Sequence, residues 1–145
     1  MTDSPTYLRP INILIVEDNP GDVRLIQEIL KEGGIPNTLV VAKDGGSAIT
    51  MLTGRESLEP DLILLDLNLP KRNGLEVLSE IKNHPKSGRI PVVIVTSSSS
   101  DDDKARCHQL HASAYLTKPI ELAQFKDMIR TINTIPPSTT QQFSK

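Results

Sequence analysis

Five short apolar runs recur along this 145-residue chain with amphipathic stretches between them: Ile11–Val16, Thr38–Ala42, Leu62–Leu65, Val92–Val95 and Ala114–Leu116. The runs are rich in Ile, Val and Leu and mostly continuous rather than alternating, as expected of strands covered on both faces. The first, third and fourth carry this signal directly, while the second and fifth are placed partly by the rhythm of the others. Helical patterns fill the gaps. Asp22–Lys31 puts Val23, Ile26 and Ile29–Leu30 on one face before Gly33-Gly34, and Ser47–Leu52 lies between Gly45-Gly46 and Gly54. Leu75, Leu78 and Ile81 share a face after Asn73-Gly74, and Asp101–Leu110 opens on three aspartates. Leu122, Phe125, Ile129 and Ile132 line a last helix that Pro136-Pro137 is expected to end.

Strands alternating with helices imply right-handed crossovers and a parallel sheet. The expected fold is therefore α/β: a doubly wound, five-stranded parallel sheet of order 2-1-3-4-5, flavodoxin-like, with helices on both faces. Segments 1–10 and 136–145 are polar, contain Pro and lack periodicity, so they read as flexible ends of one domain over 11–135.

Composition excludes several functions. Sixteen basic against eighteen acidic residues give a net charge of −2, no footprint for nucleic acid or an anionic membrane. No run approaches 18 apolar residues and the start lacks a secretory pattern. The single cysteine, Cys107, permits no disulfide within the chain, so a cytoplasmic setting is expected.

In open α/β sheets chemistry gathers beyond the carboxyl ends of the strands. Glu17-Asp18 follow the first run, Asp66 the third, Thr96-Ser97 the fourth and Thr117-Lys118-Pro119 the fifth. With strands 1, 3, 4 and 5 as neighbours, three carboxylates, a hydroxyl and an ammonium share one rim. Such carboxylates repel unless a cation intervenes, and oxygen donors without His or Cys select a hard ion, Mg²⁺ first. Lys118 then offers charge to a phosphate, Thr96 a donor, and Asp66 a central nucleophile. That is the chemistry of aspartyl phosphorylation. Any one of these residues alone is more often a turn or capping residue; their coincidence at four strand ends argues otherwise.

From about Ile11 to Ile135 the chain resembles a response regulator receiver domain, the phosphoacceptor of two-component signalling. The resemblance rests on Ile-Leu-Ile-Val-Glu17-Asp18-Asn19, Leu-Ile-Leu-Leu-Asp66-Leu-Asn68-Leu-Pro70, Asn73-Gly74, Pro91-Val-Val-Ile-Val-Thr96-Ser97 and Ala114-Tyr115-Leu-Thr-Lys118-Pro119, in that order. It implies Asp66 as phosphoacceptor and Glu17 with Asp18 as the acidic pair for Mg²⁺, Asp18 ligating directly. It further implies that Asp66 and the backbone carbonyl of Asn68 complete the metal shell. Thr96 and Lys118 resemble the hydroxyl and lysine that bind the phosphoryl group, and Thr96 with Tyr115 the switch pair. The implied partner is a sensor histidine kinase, with the face of helix 4, strand 5 and helix 5 as a possible homodimer surface; Met128 and Ile135 are less obviously core and are candidates for such a seam.

The stretches Glu17–Asp22 and Asn68–Gly74 are similar to those of small regulators that partner bacterial and cyanobacterial phytochromes. No output module follows in this chain, so signalling by docking or phosphorelay is expected rather than DNA binding. Three features depart from the common pattern: Glu17 stands where many receivers have Asp, His111 where Gly is common, and the Ser97–Asp103 loop is rich in Ser and Asp. Ser98, two residues beyond Thr96, occupies a position thought to tune autodephosphorylation in the family. A receiver is not an enzyme with turnover, although it can catalyse its own phosphorylation from small donors and its own dephosphorylation. A phosphatase of the haloacid dehalogenase type uses similar groups, but with its nucleophile on the first motif strand and its acid pair last, and it would sustain turnover of p-nitrophenyl phosphate. A phosphorylation-independent binding module is the third reading. Cys107-His108-x-x-His111 is set aside as a metal or haem motif, because neighbours in a helix point to different faces.

Overall fold

A computed structural model describes residues 10–132. Five strands and five helices alternate strictly: β1 (Ile11–Val16), α1 (Pro20–Glu32), β2 (Asn37–Ala42), α2 (Gly45–Thr53), β3 (Leu62–Leu65), α3 (Gly74–Asn83), β4 (Val92–Thr96), α4 (Asp101–Gln109), β5 (Ala114–Thr117) and α5 (Leu122–Thr131). The strands form one parallel sheet in the order β2-β1-β3-β4-β5. The expected doubly wound topology is the observed one.

The continuous apolar runs have a direct structural meaning. Ile11, Ile13 and Ile15 of β1, Leu62 and Leu64 of β3, and Val93 and Val95 of β4 pack with Ile26 and Leu30 of α1 and Phe125 and Ile129 of α5. The alternate residues Leu14, Val16, Ile63, Leu65, Val92 and Ile94 pack on the opposite face with Leu52 of α2, Leu78 and Ile81 of α3, and Cys107 of α4. Each strand feeds two cores, so neither face can be polar. Full burial of each such side chain contributes roughly 1.5–3 kcal/mol. The edge strand β2 exposes Asn37 and Thr38, which is why its apolar signal is weak.

Helix ends follow local chemistry. Asn19 caps α1 by accepting from the N–H groups of Gly21 and Asp22, with Pro20 as the first helical residue. Gly33 ends that helix and Gly34 takes φ +63°. Asn73 and Glu76 form a reciprocal capping box on α3, and Ser100 caps α4. The glycines 45 and 46 are the first two residues of α2 rather than a turn before it, because Asp44 serves as its cap.

Several expectations need correction. Helix α5 ends at Thr131, before Pro136-Pro137, which lie outside the described residues. Met128 is 4% exposed and belongs to the core of α5, so it is not free to form a seam between copies; Ile135 lies outside the described residues. Strand β4 runs on to include Thr96, and β5 to include Thr117. Cys107 is buried and His108 exposed, as their separate helix faces require. His111 adopts φ +70°, a conformation that favours Gly, at the turn leading to β5. Of the expected ends 1–10 and 136–145, all but Pro10 also fall outside the described residues.

Candidate phosphoacceptor site

The sheet aims three side chains at one point by continuing its hydrogen bonds past the strand ends. The Glu17 N–H donates to the Ala42 carbonyl at 2.9 Å, and the Asp66 N–H to the Val16 carbonyl at 3.1 Å. The Lys118 N–H donates to the Thr96 carbonyl at 2.7 Å. The first residue beyond each strand is thus held almost as rigidly as the strand itself. The Lys118–Pro119 peptide that follows is cis.

The Lys118 ammonium gathers the carboxylates. Its Nζ donates to Glu17 Oε1 at 2.6 Å, Asp22 Oδ2 at 2.7 Å and Asp66 Oδ2 at 2.8 Å. Burial works against the charge on Lys118, but the hydrogen bonds to Asp22, Asp66 and Glu17 outweigh it and hold its pKa above the ordinary lysine range. Burial also opposes the charge on Asp66. The bond from Lys118, the Asn68 N–H donating to Oδ1 at 3.0 Å and the Thr96 hydroxyl prevail, keeping Asp66 below the usual carboxylate value. Glu17 goes the other way. Burial, reinforced by the neighbouring Asp66 charge, pushes it up to about 7 despite its bond from Lys118.

These groups line a cleft of about 520 Å³, together with Asp18, Asn19, Asn68 and Ser97 on its polar side and Leu25, Ile26 and Ile120 on its apolar side. Glu17, Asp22 and Asp66 each present an oxygen within 4.8 Å of the others. No His or Cys lines the cleft. An all-oxygen, net acidic donor set fits a hard divalent cation. A buried, ionised Asp66 beside such a site has the makings of a nucleophile toward phosphorus.

The response regulator receiver domain model matches residues 13–130. The chain belongs to this family. Response regulator Rcp1 of Synechocystis sp. is 44% identical over 129 residues, covering 86% of this chain and 88% of Rcp1. The crystal structure of the Mn²⁺-bound form of Rcp1 superimposes with a TM-score of 0.72 at 46% identity, over 82% of this chain and 89% of that one. The phosphorylated cyanobacterial phytochrome response regulator RcpA gives a TM-score of 0.71 at 44% identity, with the same coverage.

In this receiver domain the fold brings together Glu17, Asp66, Thr96 and Lys118, as the strand ends imply. Thr96 is fully buried at the end of β4, and its Oγ1 accepts from the Ser98 N–H at 3.4 Å. Asp18 and Asn68 are exposed on the rim of the cleft, Asp18 outside the tight carboxylate cluster. Tyr115 is half-buried, its hydroxyl donating to the Ser98 carbonyl at 2.9 Å, with the Lys104 ammonium 5.9 Å from its ring centre. Burial raises the pKa of that hydroxyl. The residue that strand-end reasoning misses is Asp22. It lies in the first turn of α1, not at a strand end, and its only sequence signal is an acid three residues after a capping Asn.

Among the described residues no helix is long and apolar enough to cross a membrane.

Proposed function

We propose that this receiver accepts a phosphoryl group on Asp66 from the phosphohistidine of a sensor histidine kinase, in a Mg²⁺-dependent step. A carboxylate oxygen of Asp66 forms a bond to phosphorus as the phosphorus–nitrogen bond of phosphohistidine breaks, and the imidazole nitrogen leaves with the electron pair. The observation that carries this reading is the ionised Asp66 at the floor of an acidic cleft, 2.8 Å from the Lys118 ammonium. Glu17, Asp66, Asp18 at the rim and the Asn68 carbonyl are the residues that would hold Mg²⁺, which when bound supplies positive charge to the phosphoryl oxygens. Lys118 offers its ammonium, and Thr96 its hydroxyl, to the transferred group. The same machinery serves small phosphoryl donors and hydrolysis of the product.

Phosphorylation adds about −1.5 to −2 charge at the end of β3. Thr96 is drawn toward it, and the Tyr115 side chain, tied through Ser98 to the same loop, follows. The result is a population shift of the face made by α4, β5 and α5 rather than a new fold. Similarity to the cyanobacterial phytochrome response regulator RcpA supports a phytochrome-type kinase as the phosphoryl source, and the one cysteine, buried and free, suits a cytoplasmic setting.

Intact mass after incubation with acetyl phosphate tests the chemistry. The expected result is one phosphoryl group gained with Mg²⁺, none with EDTA and none in Asp66→Asn. Labelling that survives Asp66→Asn would remove Asp66 from its role, and labelling that persists in EDTA would remove the metal from the step. Transfer from a phytochrome kinase in preference to an unrelated histidine kinase tests the partner.

A further inference from the structure

An ammonium has three N–H donors, and Lys118 spends all three on carboxylates from three different elements. Two of those partners have other work in the reading given above. Asp66 is to carry the phosphoryl group, and Glu17 is to hold the metal. Asp22 has none. It enters from α1, across the mouth of the cleft from β5, and its side chain is the most exposed of the three acids at 29%. Its backbone is held at the helix start, because its N–H donates to the capping Asn19 side chain at 3.2 Å and to the Asn19 carbonyl at 3.1 Å. The positive end of α1 stabilises the carboxylate in that place.

We propose that Asp22 is a positioning residue for Lys118: it anchors the ammonium from the α1 side so that the lysine stays over Asp66 when the phosphoryl group arrives. The inference rests on the phosphoacceptor reading of Asp66. When Asp66 becomes an acyl phosphate, the bond from Lys118 moves from the Asp66 oxygen to a phosphoryl oxygen, and Asp22 retains its share of the ammonium. Without Asp22 that donor is free to follow solvent, and the lysine is held only by groups that the metal also needs.

Two measurements test the proposal. The first is a titration with beryllofluoride, a phosphoryl mimic, at saturating Mg²⁺, so that metal affinity does not enter, read by the fluorine signal of the bound species. Loss of a charged hydrogen-bond anchor is expected to weaken binding about tenfold in Asp22→Ala and less in Asp22→Asn, which keeps an acceptor and the helix start. In a Lys118→Met background Asp22→Ala should cause no further weakening. The second is the Nζ–Hζ correlation of Lys118 in ¹⁵N-lysine-labelled, metal-free protein, expected in the parent and lost in Asp22→Ala. Parent-like beryllofluoride affinity in Asp22→Ala, an equal loss in the Lys118→Met background, or a persisting Lys118 signal would each overturn the role. A parent protein that takes up no beryllofluoride would instead count against the Asp66 reading, while the lysine signal still decides the contact.

Discussion

Lys118 and Asp66 meet at 2.8 Å although a whole strand, β4, lies between theirs in the sheet. The lysine follows β5, the aspartate follows β3, and the ammonium reaches over the end of β4 to Asp66 and on to Glu17 beyond β1. One cation therefore offsets three carboxylates within 4.8 Å of each other.

Its removal has a calculable direction. In Lys118→Ala the acids face one another without compensation, and breaking a buried pair costs about 3–5 kcal/mol, less here because Asp22 is partly hydrated. An expected loss of about 2–3 kcal/mol at pH 7 in EDTA should shrink on adding millimolar Mg²⁺, which replaces the missing charge. Urea unfolding with EDTA and with Mg²⁺ checks it.

Glu17 gives the metal-free protein an unusual pH profile. Its folded pKa of about 7 lies above its ordinary value, so the folded state binds the proton more tightly than the unfolded chain. Its contribution is fully present below the unfolded pKa and is lost as pH rises through about 7. Asp66, shifted down, contributes in the opposite sense, and its share is lost as pH falls through its folded value. Stability in EDTA should thus be greatest in the mildly acidic range and decline by up to about 3 kcal/mol toward pH 8. Glu17→Gln should flatten that alkaline decline; an unchanged slope in chemical unfolding would show that Glu17 ionises without cost.

Much of this was legible in the chain because the sheet's chemistry repeats. The continuous run Leu62–Leu65 announces burial on both faces, and the polar residue that follows each run marks the rim, so the chain alone places Glu17, Asp66, Thr96 and Lys118 there. Asp22 could not, because a first-turn acid is usual in helices that never touch a site. Met128 was ambiguous for a related reason. Spacing places it near the border of the apolar stripe, and only the packing of α5 against the sheet shows which side of that border it occupies. Helix α5 ends at Thr131 on an extended Ile132 whose N–H donates to the Ile129 carbonyl, an end that no Gly or Pro at that point signals in the sequence.

Gly74 links the Asn73-Gly74 pair to the phosphoacceptor. A Cβ at this position would lie 2.7 Å from the Asp66 carbonyl oxygen and 2.9 Å from the Leu67 carbonyl carbon, both backbone atoms that cannot swing aside. Gly74→Ala should therefore force α3 away from the end of β3, costing about 1–3 kcal/mol and weakening beryllofluoride binding. Gly46→Ala is the control. Its nearest neighbour would be a side-chain oxygen of Asp44 at 3.5 Å, so stability should hold or rise slightly. Equal effects of the two substitutions in urea unfolding would argue against a special role for the α3 start.

Helix α4 is less deeply anchored than α5, since Cys107 is its one buried residue where α5 buries Phe125, Met128 and Ile129. Its first turn is tied down by a side chain from the preceding loop. The Ser98 hydroxyl donates to Asp103 Oδ2 at 2.7 Å, while the Ser98 carbonyl receives Tyr115 and the Ser98 N–H reaches Thr96. A charge-assisted bond of this length is among the stronger ones available to a half-exposed loop. Asp103→Ala should release the start of α4 and speed amide exchange over Asp101–Gln109 about tenfold, leaving β1 and β3 unchanged. Asp103→Asn keeps an acceptor and should retain most of the protection, which separates the hydrogen bond from the favourable charge at the helix start. Ser98→Ala should also release the start of α4, removing the same bond together with the acceptor of the Ser100 N–H at 3.3 Å, and the double substitution should cost less than the sum of the two, because the Ser98–Asp103 bond is lost only once. Additive effects would mean that α4 is held by two independent contacts and that Ser98 does not connect it to Thr96 and Tyr115.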